Sequence, residues 1–163
     1  MKSGSKGASL SLRARALQYL ARREHSRAEL RGKLLSHLQD DAEFEHSQPA
    51  DLDALLDDFT ARGWLSDERT ATQLVHTKRS RFGTQRITQE LRRKGITENL
   101  IEEALPQLKE TELATARQVW QKKFGITPRD EKEKAKQVRF LLSRGFSLDV
   151  AFKVLRLSDS IED

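Results

Sequence analysis

The sequence predicts an all-α protein built from three tandem three-helix repeats, elongated or curved. Three observations predict it. Apolar residues recur at a 3.6-residue period from Leu10 onward, and no stretch sustains the period-2 alternation of a strand. Only 8 Gly and 3 Pro interrupt 163 residues, which suits helices and argues against a β-sandwich. The third observation is recurring punctuation: Lys94-Gly95-Ile96-Thr97 and Arg144-Gly145-Phe146-Ser147 each set a basic residue, a C-capping glycine, an apolar residue and a hydroxyl N-cap in the same order.

The first nine residues are small and polar and read as a mobile basic tail. Leu10, Ala14, Leu17 and Leu20 then share one face of a first helix, broken near His25. Ser26 caps a second, with Glu29 at capping-box spacing and Leu30, Leu34, Leu35 and Leu38 inward. Residues 39–48 read as an acidic loop. Pro49 or Ala50 opens a third helix with Leu52, Leu55, Leu56 and Phe59 inward, ended by Gly63. Ser66 caps a fourth, expected to run through Ala71, Leu74, Val75 and Phe82 as far as Gly83. Thr84 starts a fifth, with Ile87 and Leu91, closed by Gly95.

Thr97 caps a sixth helix, in which Pro106 discourages much extension. A seventh is expected from about Glu112 to Phe124, an eighth from Asp130 to Arg144 with Ala135, Val138, Leu141 and Leu142 inward, and a ninth after Ser147. A shift of 50 superimposes Leu91 and Leu105 on Leu141 and Leu155, and a shift of 57 sets Ala14 and Leu30 under Ala71 and Ile87. Leu55-Leu56-Asp57-Asp58 is matched with Leu100-Ile101-Glu102-Glu103. The expected repeats are 10–62, 63–108 and 109–157, followed by a mobile C-terminus at 158–163. Each unit buries little area by itself, so neighbours supply stability and the array favours contact surface over a catalytic pocket.

Charge is segregated along the chain. Nine basic and two acidic residues occupy 1–38, against one basic and ten acidic in 39–68; 69–95 returns to eight basic and one acidic. The net charge is +5, and separate basic and acidic surfaces are expected, the basic ones attracting phosphate or an acidic protein. The candidates are Arg22, Arg23 and Arg27 at the first helix junction, then Lys78, Arg79, Arg81 and Arg86, with Arg92, Arg93 and Lys94 beyond. In the third repeat they are Lys122, Lys123, Lys132, Lys136, Arg139 and Arg144. Trp64, Trp120 and Tyr19 sit at helical spacing beside apolar residues and read as core rather than as base-stacking platforms.

Cysteine is absent, which excludes thiol catalysis, disulfides and cysteine zinc sites. His25, His37, His46 and His76 match no metal-ligand spacing, and no P-loop, GxGxxG or GxSxG occurs. No cofactor and no enzyme activity are expected, nor is a membrane span, and the protein reads as a cytoplasmic monomer. DNA, single-stranded or double-stranded, is a further candidate partner, and the competing reading is an autonomous helix-turn-helix-like module with sequence-selective duplex binding.

Four stretches, in order, carry a resemblance: Ala21-Arg22-Arg23-Glu24-His25-Ser26-Arg27-Ala28-Glu29-Leu30, Gly63-Trp64-Leu65-Ser66-Asp67-Glu68-Arg69, Gly83-Thr84-Gln85-Arg86-Ile87-Thr88-Gln89-Glu90-Leu91 and Arg144-Gly145-Phe146-Ser147. Together they resemble the RecX family of bacterial regulatory proteins, from about residue 10 to 156. Thr70 departs from the aromatic residue usual there. The resemblance implies tandem three-helix repeats that lodge in the groove of RecA recombinase filaments on single-stranded DNA. It further implies that filament growth is limited and that ATP hydrolysis, strand exchange and RecA-stimulated repressor cleavage are restrained, with no catalytic residues. That is a role in homologous recombination, DNA repair and the SOS response.

Overall fold

The computed structural model describes residues 11–40 and 47–160. The expected N-terminal tail, Leu10, His46 with most of the acidic loop, and 161–163 lie outside the described residues. All regular elements among the described residues are helices: α1 (Leu12–Arg22), α2 (Arg27–Asp40), α3 (Pro49–Ala61), α4 (Asp67–Lys78), α5 (Thr84–Arg93), α6 (Glu98–Lys123), α7 (Glu131–Ser143) and α8 (Leu148–Asp159). The chain divides into two compact units, one ending at Thr70 and the other beginning at Ala71.

In the first unit Ala16, Leu30, Leu34, Leu52, Leu56, Phe59 and Leu65 form the core. The inward face of α1 is centred on Ala16, with Leu12, Tyr19 and Leu20 beside it. Leu17, which the apolar period places inward, is exposed, so the buried face is rotated from the one the period predicts. In so short a helix one alanine counts little in an apolar pattern, and only packing reveals it. The capping box at α2 is present in both halves: Glu29 N–H donates to Ser26 Oγ and Ser26 N–H to the Glu29 carboxylate, each at 3.1 Å. Asp67 at the start of α4 accepts from Arg27 N–H at 2.7 Å, and Thr70 Oγ1 donates to the His25 carbonyl at 3.1 Å. A hydrogen bond thus occupies Thr70's buried position.

His25 is itself buried. Its Nδ1 lies 3.0 Å from the Arg23 carbonyl, so the proton sits there, and Nε2 accepts from Lys33 Nζ at 3.0 Å. Burial, foremost, holds the imidazole below its ordinary value, and the Arg23 and Lys33 cations act in the same direction.

The second unit has two apolar clusters. One gathers Ala71, Leu74, Val75, Ile87, Leu91, Ile96, Ile101 and Leu108; the other gathers Ala116, Trp120, Val138, Leu141, Phe146, Ala151, Val154 and Leu155. Helix α6 belongs to both, which is why the expected sixth and seventh helices are one. Pro106 does not stop it: the ring faces solvent, while Ile101 and Leu108 anchor one cluster and Ala116 and Trp120 the other. Packing at both ends outweighs the one backbone bond that proline forgoes. Three smaller corrections follow from the same coordinates. Helix α4 ends at Lys78, leaving Phe82 in the following turn; Ala135 and Leu142 on α7 are exposed; and Ser158 and Asp159 belong to α8, Ser158 being buried.

Burial also sets the repeat register. Leu52, Leu55, Leu56 and Phe59 of α3 correspond to Ile101, Ala104, Leu105 and Leu108 of α6, and to Ala151, Val154, Leu155 and Ser158 of α8. The sequence match of Leu55-Leu56 with Leu100-Ile101 is therefore about one helical turn out, an error that a near-four-residue period invites.

Candidate partner-binding site

The turn after α4 carries Phe82 half-buried against the first cluster of the second unit. Four cations surround its ring: Arg86 at 4.1 Å from the centroid, Lys78 at 5.4 Å, and Arg81 and Arg144 each at 5.6 Å. Lys78 ends α4, Arg81 lies in the turn, Arg86 is on α5 and Arg144 caps α7, so two repeats contribute.

Backbone contact between Gly83 and Gly145 makes the convergence possible. Gly83 N–H donates to the Arg144 carbonyl at 2.8 Å, and Gln85 N–H to the Gly145 carbonyl at 3.1 Å. Gly145 has φ +91°, and a Cβ there would lie 2.3 Å from the Arg86 Cβ. Glycine at 145 thus lets the turn form and lets Arg86 sit against it, where Nη1 donates to the Ser143 carbonyl at 3.3 Å.

Among the described residues no carboxylate pairs with Lys78, Arg81, Arg86 or Arg144. The ring's quadrupole offsets part of their mutual repulsion. A polar groove of about 390 Å³ adjoins on one side, lined by Lys78, Arg86 and Arg93 with Gln85, Gln89 and Glu90. On the other lies a groove of about 290 Å³ holding Arg81, Lys122, Lys123 and Arg144. Both grooves therefore border the same concentration of positive charge.

The other sequence candidates are placed differently. Arg23 pairs with Glu29 at 3.0 Å, Arg27 with Asp57 at 2.7 Å and Arg92 with Glu98 at 2.7 Å. Arg92 thereby holds the Glu98 carboxyl below the usual carboxylate range through their hydrogen bond. Arg22 is exposed at the end of α1, Arg79 is half-buried beyond α4, and Lys94 caps α5. Lys132 and Arg139 are exposed on α7 and line neither groove, while Lys136 shares a further groove with Lys123.

The expected separate acidic surface is not built from α3. Asp53 bonds Arg31 at 2.9 Å and Asp58 bonds Arg13 at 3.0 Å and Arg62 at 3.0 Å, and these hydrogen bonds hold both carboxyls below their ordinary range. Linear charge segregation becomes local neutralisation because α3 packs beside α2. Arg69, likewise, pairs with Glu24.

The aromatic expectations divide. Trp120 is buried, its Nε1–H donating to Gln137 Oε1 at 2.8 Å. Tyr19 is half-buried and its hydroxyl lies 2.8 Å from His37 Nε2. Trp64, expected in the core, is 42% exposed. The Gly63 turn carries it past the end of α3 and hands the core position to Leu65, so the indole lies on Phe59 with the Arg13 and Arg62 guanidiniums over it. The site residues that sequence reasoning missed are Phe82, Phe140 and the two glycines. The signal that could have found them is the basic-aromatic-glycine pattern shared by Arg81-Phe82-Gly83 and Lys123-Phe124-Gly125.

Family models match three stretches: the first three-helix domain of RecX at residues 13–45, the second at 66–105 and the third at 110–155. The chain belongs to the RecX family. Curated RecX relatives extend over nearly its whole length. The regulatory protein RecX of Leptothrix cholodnii is 50% identical over 154 residues, covering 94% of this chain and 93% of that one. That of Ralstonia nicotianae is 45% identical, covering 94% and 92%. Among solved structures, RecX from Lactobacillus salivarius matches with a TM-score of 0.72 at 21% identity, over 91% of this chain and 94% of that chain, and supports the fold. The RecX relatives are named regulatory proteins, and no helix among the described residues is long and apolar enough to cross a membrane.

Proposed function

We propose that this chain binds RecA recombinase filaments and inhibits their extension, and with it ATP hydrolysis, strand exchange and co-protease activity. The single observation that carries the reading, within a RecX chain, is the group of four cations around Phe82 that meet no carboxylate among the described residues. Like charges gathered without counter-charges are costly in the free protein and are relieved by an anionic partner. In this reading the cluster meets acidic protein surface or the phosphates of the bound strand.

The test is RecA ATPase on single-stranded DNA with substoichiometric amounts of this chain. Inhibition at low ratios indicates blocked growth. Combined Lys78→Glu, Arg81→Glu and Arg86→Glu is expected to raise the amount needed at least ten-fold. Unchanged inhibition by a folded variant removes the cluster from the mechanism. Tight, RecA-independent binding to a particular duplex sequence would instead favour the helix-turn-helix alternative.

A further inference from the structure

We propose that the groove between α6 and α7 is a docking site for an acidic protein segment carrying one apolar anchor residue. The proposal rests on the preceding reading only in making such a segment part of the regulated filament; the groove's chemistry stands by itself. Its floor is Val119 and Phe140, both half-buried, and its rim is Arg81, Lys122, Lys123 and Arg144. No carboxylate among the described residues lines it. Arg144 and Lys123 sit over the Phe140 ring at 5.2 and 5.7 Å, so their stems shape the walls and their charged heads stand at the mouth.

The neighbouring groove supplies the contrast that decides the class of partner. Its lining is Lys78, Arg86 and Arg93 with two glutamines, Glu90 and Leu142, so charged and hydrogen-bonding groups predominate, as a phosphodiester backbone uses, with one carboxylate among them. A bare backbone would leave Val119 and Phe140 wet. A leucine or phenylalanine side chain covers them, and carboxylates on either side of it reach the four cations. A central apolar anchor within a charged rim is the usual anatomy of a protein hot spot. About 290 Å³ accommodates one such side chain and its flanks, not a folded element.

The experiment is fluorescence anisotropy on the full chain with three labelled probes. They are a glutamate-rich peptide with a central Phe-Leu pair, the all-glutamate peptide of equal length, and a single-stranded oligothymidylate. The anchored peptide is expected to bind about ten-fold more tightly than the all-glutamate one. Lys122→Glu with Lys123→Glu, both exposed on α6, is expected to weaken it at least ten-fold without altering the helical signal. Amide shifts in a nitrogen-15-labelled chain should centre on Val119, Lys123 and Phe140, a readout that needs no variant. Equal affinity for the two peptides overturns the proposal, as does oligothymidylate displacing the anchored peptide from the same amides. Filament ATPase with the unmodified chain separates the two readings: inhibition without peptide binding sinks only this proposal, and peptide binding without inhibition sinks only the preceding one.

Discussion

Replacing Gly83 by alanine isolates how much the glycine-to-glycine contact holds the second unit together. The backbone there has φ −81° and ψ 168°, a conformation alanine adopts freely, so the cost is purely one of space. The new Cβ would stand 2.3 Å from the Gly145 carbonyl oxygen, 2.4 Å from its carbon and 2.5 Å from the Phe146 nitrogen. All three are backbone atoms, so no side chain can swing aside, and the strands of chain must part by about 1 Å to restore ordinary contact. Overpacking of this kind costs about 1–3 kcal/mol. Parting also weakens the bonds from Gly83 N–H at 2.8 Å and Gln85 N–H at 3.1 Å, each worth about 1 kcal/mol. A total near 3 kcal/mol lowers the melting temperature of a unit this size by about 12 °C or more. In a Trp64→Phe background the emission of Trp120 reports that unit alone, since the two are the chain's tryptophans. Gly32→Ala, in the other unit and with nothing within 4 Å of a Cβ, is the control and should leave the Trp120 transition unmoved. A Gly83→Ala chain that melts within 2 °C of its parent would refute the packing argument.

Three other outcomes are expected. Because burial chiefly depresses the His25 imidazole below 6.5, the folded chain binds that proton more weakly than the unfolded one; stability is full above about pH 6.5 and falls as pH drops through the lower folded-state value. His25→Gln should flatten that slope in urea titrations across mildly acidic pH, while the losses from Asp53, Asp58 and Glu98, whose carboxyls are depressed, persist at lower pH. Gln137→Leu leaves the buried Trp120 N–H without its acceptor and should cost about 1–3 kcal/mol, read as a shift in the denaturation midpoint. Asp67→Ala removes the carboxylate at the start of α2 and should destabilise the first unit by about 1 kcal/mol, with the loss diminishing in high salt if the helix dipole contributes.

What the amino-acid order determined by itself was local and periodic. Helix starts at Ser26, Pro49 and Ser147, and stops at Gly63, Gly95 and Gly145, are set by caps whose partners lie within a few residues, so they are legible in one dimension. The three-fold repeat was legible for the same reason. Tertiary structure decided whatever depends on which residues meet across long separations. It joined α6 through Pro106 because two cores hold its ends. It exposed Trp64 because Leu65 fills the space that an apolar count assigned equally to either. It also sorted the cations: Arg23, Arg27 and Arg92 look like Arg81, Arg86 and Arg144 in sequence, yet the first three find carboxylates and the last three converge on an aromatic ring. Charge acts through space and is blind to chain order, so only the packing of one helix beside another says which arginine meets a carboxylate and which meets a ring.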